Sequence, residues 1–207
     1  MKCHVLPVGV YEANCAVVWD DPAKAWVFDP GADSQKIFAF LKKEGLQVGA
    51  VVLTHAHFDH ISALNEVLAE YPSAAVYLHG KDEPFAFSPL NQMPPYSAIK
   101  KPTTLDISKQ NGDTLECGGL TSKIIHTPGH TPGSWCLHFE AHKLLVAGDT
   151  LFNGSIGRTD FPGGSMTAME ASLQILKQLP DDTRVIAGHG PATTIGHEKR
   201  TNPYLRG

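Results

Sequence analysis

Apolar residues along the chain follow two different periods, and the switches between them lay out the elements. The runs "CAVVWD" (Cys15–Asp20) and "AWVFDPG" (Ala25–Gly31) are short, nearly continuous and rich in β-branched and aromatic residues. They predict two strands joined through "DPAK" (residues 21–24) as a hairpin-like turn. "SQKIFAFLKKEG" (Ser34–Gly45) then carries Ile37, Phe40 and Leu41 on one helical stripe, with Ser34 or Asp33 as N-cap and Gly45 as the stop. "GAVVL" (Gly49–Leu53) predicts a buried strand, "ISALNEVLAEY" (Ile61–Tyr71) an amphipathic helix, and "AAVYLH" (Ala74–His79) the next strand. The second half is richer in strands: "SKIIHT", "SWCLHFE", "KLLVAGD" and "TRVIAGH" are apolar or alternating runs divided by Gly and Pro. "SMTAMEASLQILKQL" (Ser165–Leu179) is a helix with Met169, Leu173 and Leu176 inward, and Thr167 with Glu170 have the spacing of a capping box. Strands and helices alternate, so the class is α/β.

Composition narrows the functions this fold can serve. The chain has 207 residues, 42% hydrophobic and 18% charged, with no compositional break suited to a linker, so one domain over residues 1–207 is expected. The formal net charge is −4, and the basic residues pair up as Lys42-Lys43, Lys100-Lys101 and Lys199-Arg200 without forming a stripe. A nucleic-acid partner needs clustered cations to displace counterions, so that class is disfavoured. The opening "MKCHVLPVGVYEANC" has neither the apolar core nor the cleavage site of a secretory signal, and no run approaches a membrane span. A cytoplasmic protein without a membrane partner is expected, its Cys3, Cys15, Cys117 and Cys136 being reduced thiols that pack as small hydrophobes.

The histidines are where chemistry concentrates. "AVVLTHAHFDHIS" (Ala50–Ser62) sets His55, His57, Asp59 and His60 directly after an apolar strand. Ionisable groups so close repel as they titrate unless a permanent positive charge sits among them, and a metal ion binds both neutral imidazole and carboxylate. Three further strands end in turns that deliver the same residue types: His130 after "KIIHTPG", Asp149 after "LLVAG" and His189 after "RVIAG". Sites of α/β proteins lie where loops leave the carboxyl ends of strands. Five His and two Asp are too many for one tetrahedral ion and suit two. His4, His138, His142 and His197 carry no such context, and His79 and His126 are strand residues that stand at best behind the ligands. Asp29 in "FDPG" reads equally as a turn residue or as a partner that orients the metal loop.

The pattern HxHxDH followed by "TPGHTPGS", "GDTLF" and "GHG" resembles the metallo-β-lactamase superfamily, and the resemblance covers nearly the whole chain. Within it, "FNGSIGRTDFPGG" (Phe152–Gly164) and "GHGPATTIGHEKRTNPYL" (Gly188–Leu205) are similar to the single-domain type II glyoxalases, the hydroxyacylglutathione hydrolases. The resemblance implies an αββα sandwich of two mixed sheets flanked by helices. It implies one metal on His55, His57 and His130, a second on Asp59, His60 and His189, and Asp149 as the bridging carboxylate, where β-lactamases proper carry a cysteine ligand.

Two divalent cations, zinc first with iron or manganese as substitutes, would lower the pKa of a shared water and supply hydroxide near neutral pH. The chemistry implied is attack on the carbonyl of a glutathione thioester such as S-lactoylglutathione, a small-molecule partner whose thiolate leaves readily. Asp59, Asp149 and Arg158 are the candidates for catalytic work, Arg158 lying where the family places a basic residue near the substrate. Many type II glyoxalases append a helical domain that carries much of the glutathione site, whereas 18 residues follow His189 here. The Pro-rich stretch Glu83–Leu105 is expected to be a lid, a pocket wall or a packed surface loop. Two other readings stand beside this one. "GRTDF" also resembles the persulfide dioxygenases, which would use one iron on His55, His130 and Asp149, and a binding-only module would have kept the fold and lost catalysis.

Overall fold

A computed structural model describes residues 1–20, 24–96 and 98–206. Six strands, β1 (Lys2–Val8), β2 (Ala13–Trp19), β3 (Lys24–Phe28), β4 (Gln47–Val52), β5 (Ala75–Tyr77) and β6 (Leu105–Asp106), form the first sheet in sequential order. Its first three strands are antiparallel and the rest parallel. The second sheet takes β7 (Thr114–Cys117), β8 (Leu120–His126), β9 (Trp135–Phe139) and β10 (Leu144–Gly148). Beyond a small hairpin, β11 (Leu151–Phe152) with β12 (Ser155–Ile156), the sheet is completed by β13 (Arg184–Ala187) and β14 (Thr193–Thr194). Its order is β14-β13-β10-β9-β8-β7, and only β10 and β13 run parallel.

The period-2 geometry of strands decides what lies between the sheets. Ala16 and Val18 of β2, Trp26 and Phe28 of β3, and Ala50 and Val52 of β4 face Ile124, Leu137, Phe139 and Val146 of the second sheet in one buried cluster. Their sequence neighbours Cys15, Val17, Ala25, Val27 and Val51 point the other way. They pack on Ile37 and Leu41 of helix α1 (Ser34–Lys43), Ile61 of α2 (Phe58–Ile61), and Leu64 and Val67 of α3 (Leu64–Glu70). After the single turn α4 (Glu83–Ala86), the outer face of the second sheet is covered in the same way. Cys136, Leu145 and Val185 meet Met169, Leu173 and Leu176 of α5 (Met166–Leu176) and Ile195 of α6 (Ile195–Thr201). These strands are apolar on both faces because both faces are covered, and the result is the expected αββα sandwich. Phe28 and Phe139 are fully buried between the sheets, so truncating either to Ala would cost about 3–5 kcal/mol.

Several local expectations are met and several are replaced. Gly45 ends α1 in a Schellman motif: it takes φ 67°, Leu46 N–H reaches Leu41 O at 2.9 Å, and Gly45 N–H reaches Lys42 O at 3.1 Å. Asp33 is the N-cap residue but makes no capping bond, because its carboxylate accepts Gly9 N–H at 2.9 Å. The Thr167–Glu170 capping box does not form. Ser165 caps α5 by accepting from Ala168 N–H, which places Thr167 inside the helix. The helix expected over Ile61–Tyr71 is split, since Ala63 N–H bonds to Pro30 O and holds the metal loop against the first sheet. Strand β1 has no counterpart among the predicted elements. It is an edge strand paired only with β2, where Pro7 is tolerated. The turn expected at "DPAK" includes residues 21–23, which lie outside the described residues.

Candidate metal centre

The site lies at one end of the sandwich, where loops from both sheets are stitched together. Trp135 of the second sheet donates its ring N–H to Leu53 O at 2.8 Å and its backbone N–H to Thr54 O at 3.1 Å, fixing the start of the histidine loop. Asn14 of the first sheet returns the tie: its backbone N–H donates to Gly188 O, and its side chain donates to Ala187 O and Gly190 O around His189. Main-chain positions of the loops are thus set by bonds that cross between the sheets.

Within this frame the seven predicted residues converge. His55, His57 and His130 bring one ligand-type atom each to within 4.8 Å of the others, as do Asp59, His60 and His189. Asp149 stands between the two triads, with Oδ2 3.4 Å from His130 Nε2 and 3.8 Å from His189 Nε2, and Oδ1 3.5 Å from His60 Nε2. A third grouping, Asp29 with His55 and His60, has matching distances. Both Asp29 oxygens are already engaged, however: Oδ1 accepts Thr54 N–H at 2.7 Å, and Oδ2 takes the Thr54 hydroxyl at 2.6 Å and His60 Nδ1 at 3.0 Å. Asp29 therefore orients the loop.

The far nitrogens of the imidazoles are held by the protein. His60 Nδ1 is on Asp29, His130 Nδ1 is 2.7 Å from Arg158 O, and His189 Nδ1 is 3.0 Å from Tyr11 O. Because the Thr54 hydroxyl gives its proton to Asp29, it accepts from His55 Nδ1 at 3.1 Å. Each of these bonds fixes a proton on Nδ1 and aims Nε2 at the centre, where it becomes the ligating lone pair whenever the ring is neutral. His57 differs, presenting Nδ1 2.8 Å from His130 Nε2. Two buried atoms in the cluster, His55 Nε2 and Asp149 Oδ1, have no hydrogen-bond partner. A buried polar atom left unmade costs free energy, so inward-facing lone pairs of this kind fit a cation. Space is kept for it. A Cβ built on Gly188 would fall 2.0 Å from Asp149 Oδ1, and one on Gly157 would fall 1.8 Å from Asp149 O.

The electrostatics divide the cluster. Burial and the neighbouring histidines lower His55 far below the usual imidazole range and His57 to about 4, so these two are neutral and ready to ligate. Around the second triad burial is outweighed by charge. Burial lowers His60, but Asp149, Asp59 and Asp29 raise it to about 10. Burial likewise lowers His189, yet its bond to Asp59 and the charge of Asp149 bring a net rise. Burial raises Asp59, but His60 and His189 hold it well below the ordinary carboxylate range. Without a cation, a proton on His60 offsets the carboxylates, and a metal bound there would take over that charge.

Arg158 lies on the wall of the cleft, but its guanidinium is bidentate on Asp160 (2.7 and 2.8 Å) and stacked 3.7 Å over the Phe161 ring. Asp82 had no place in the sequence reading. It is buried, and it accepts Ala56 N–H at 3.0 Å, Thr131 Oγ1–H at 2.7 Å and Gly133 N–H at 2.6 Å. Burial raises this carboxyl against the pull of those donors. One side chain thus clamps the residue between His55 and His57 to the turn that carries His130. The only hint in the sequence is its place in "LHGKDEP", just past a strand end as Asp29 and Asp149 are. His79 and His126 stack on each other 4.3 Å apart behind that turn, and neither belongs to a grouping of ligand-type atoms among the described residues.

Comparison with known proteins identifies the family. The metallo-beta-lactamase superfamily model matches residues 8–189, and the chain belongs to that family. It is 38% identical to the probable metallo-hydrolase YqgX of Bacillus subtilis, over 100% of this chain and 99% of the relative. It is 34% identical to the hydroxyacylglutathione hydrolase GloC of Haemophilus influenzae, over 99% and 98%. Among solved structures, the BLEG-1 B3 metallo-beta-lactamase superposes with a TM-score of 0.91 at 39% identity, each chain covered completely. TTHA1623 in a di-iron-bound form gives 0.83 at 34% identity, covering 98% of this chain and 100% of that one. ETHE1 from Myxococcus xanthus gives 0.80 at 25%, over 98% and 84%. The family places the chain among metallo-hydrolases. Among the described residues no helix is long and apolar enough to cross a membrane.

Proposed function

We propose that the protein is a dinuclear metal-dependent hydrolase of glutathione thioesters such as S-lactoylglutathione. The observation that carries this reading is the second triad, Asp59, His60 and His189, standing complete beside the first with Asp149 between them. His55, His57 and His130 would hold one divalent cation and the second triad the other, with Asp149 shared; zinc is the first choice, iron or manganese the substitutes. Bound there, such ions supply Lewis acidity toward a carbonyl oxygen and make water acidic enough to ionise near neutral pH. The chain supplies orientation: Asp29, Tyr11 O and Arg158 O hold three imidazoles, and Gly188 keeps the space beside Asp149. Asp59, held in its ionised form, cannot act as an acid toward a leaving group. A thiolate, with a reference pKa of about 8.5, needs none. Similarity to GloC over nearly the whole chain supports glutathione as the carrier.

The second reading is the mono-iron persulfide dioxygenase that "GRTDF" resembles, with iron on His55, His130 and Asp149. It leaves Asp59, His60 and His189 without employment. Metal-loaded protein should release thiol from S-lactoylglutathione at the same rate in aerobic and anaerobic buffer. Oxygen uptake with glutathione persulfide, and no thiol release from the thioester, would replace the first reading by the second. Loss of the β-lactam absorbance of a penicillin, measured on the same metal-loaded protein, tests for the activity named for the BLEG-1 structure.

A further inference from the structure

The cleft above the metal cluster has a volume of about 560 Å³ and is walled mainly by carbon. Tyr11, Phe58 and Met93 line one part of it, and Phe152, Ile156 and Phe161 another. Three of these side chains are large, apolar and substantially bare: Tyr11 is 51% exposed, Met93 44% and Phe161 40%. Scattered exposed hydrophobes need no explanation, but several converging on one cleft mark surface that a ligand covers.

The wall is also braced from behind. Tyr11 stacks on Tyr96 at 6.0 Å and meets Phe58 edge-on at 5.7 Å, and Phe58 in turn meets Tyr96 at 5.0 Å. The Tyr11 hydroxyl reaches Met93 Sδ at 3.5 Å. Phe161 is held between the Arg158 guanidinium and the edge of His57. These contacts leave the apolar surface little freedom to fold away.

Resting on the thioester reading, we infer that the cleft is an acyl-binding subsite, and that the preferred substrate carries an apolar acyl chain longer than lactoyl. The two halves of a glutathione thioester differ in chemistry. The glutathione half has two carboxylates, an ammonium and two amides, which carbon walls cannot satisfy. Among the described residues lining the cleft the one cationic side chain outside the ligand cluster is Arg158, and it stands largely exposed. The carrier therefore lies toward Arg158 and solvent, and the walls take the acyl half.

The test uses S-methylglutathione and S-hexylglutathione, thioethers that place an alkyl chain where the acyl group would sit and cannot be hydrolysed. Each fully buried methylene contributes about 0.8 kcal/mol, or about fourfold in Kd. With part of the chain covered, S-hexylglutathione should bind the metal-loaded protein at least roughly tenfold more tightly by calorimetry. Met93→Ser should shrink that ratio and Met93→Leu should restore it. Equal affinities, or a ratio untouched by Met93→Ser, would overturn the inference. Thioesters of N-acetylcysteamine separate this outcome from failure of the glutathione reading. If no glutathione compound binds, kcat/KM should still climb from acetyl to hexanoyl on that neutral carrier, and a flat series there would overturn the inference.

Discussion

The ligand cluster and the cleft wall lie within a few side chains of each other and are built by opposite means. In the cluster nearly every polar atom is committed, either to a protein partner, as His130 Nδ1 is to Arg158 O, or inward as a bare lone pair, as His55 Nε2 is. On the wall the contacts are ring against ring, and large apolar area is left to solvent. Directional bonds over-determine the cluster, so its geometry admits little adjustment. The wall, held mainly by ring packing, should change its selectivity through a single side chain such as Met93.

The comparison is best broken where the cluster is most constrained. Asp149→Ala removes the carboxylate between the triads, and kcat/KM should fall at least a hundredfold, equivalent to about 2.7 kcal/mol of transition-state stabilisation. Gly188→Ala should approach the same loss by driving a methyl into Asp149. Retention of more than a tenth of the activity in both variants would show that the cluster is not rigid.

Asp82→Asn comes next. An amide can replace one oxygen acceptor but sets an NH2 group against a donor, either Gly133 N–H or the pair Ala56 N–H and Thr131 Oγ1–H. Metal affinity should drop by roughly ten- to a hundredfold, as for other residues that orient ligands, with the circular dichroism spectrum unchanged. Metal titration against a chelating dye reads it, and unaltered affinity would make Asp82 a bond within the core and nothing more.

A smaller effect is expected at the boundary between the two regions. Arg158→Ala should raise KM for glutathione thioesters by roughly tenfold, the loss of one charge-assisted contact, with metal content constant. Asp160→Ala should lower KM, because it frees a guanidinium now held bidentate. If neither changes KM, the Arg158–Asp160 pair does no more than brace Phe161.

The smallest effect lies behind the cluster. Burial, then His126 and Lys81, lower His79 to about 4, and burial lowers His126 as well. A histidine whose folded value lies below its free value of about 6.5 stabilises the fold above that pH. That contribution is lost as pH falls from about 6.5 toward about 4. The Tm of the metal-free protein should therefore fall between pH 7 and 5, and His126→Phe, which keeps the stack and removes one titrating ring, should reduce the slope. An unchanged slope would mean that acid acts elsewhere.

The same contrast explains what could be read from the chain itself. Ligands that must come from strand ends leave a signature, because each follows a run such as "AVVL" or "RVIAG" whose length and β-branching identify the strand. Both-face burial made those runs visible, and with them the α/β class, while the sandwich itself was implied by the family resemblance. The wall leaves none: Tyr11, Met93 and Phe161 come from three unrelated loops, and nothing in their spacing shows that they meet. Strand β1 leaves no such run because three of its seven residues are exposed and Pro7 interrupts it. Asp82 was missed because a carboxylate in a loop usually meets water. Only the closed structure shows three donors converging on it.

The central claim is that the two triads bind two metals, and elemental analysis of protein reconstituted with excess zinc, iron or manganese tests it most directly. The account predicts about two ions per chain in the wild type and about one in His189→Ala, with Asp149→Ala weakening both. One tightly bound ion per wild-type chain under saturating metal, unchanged by His189→Ala, would contradict it.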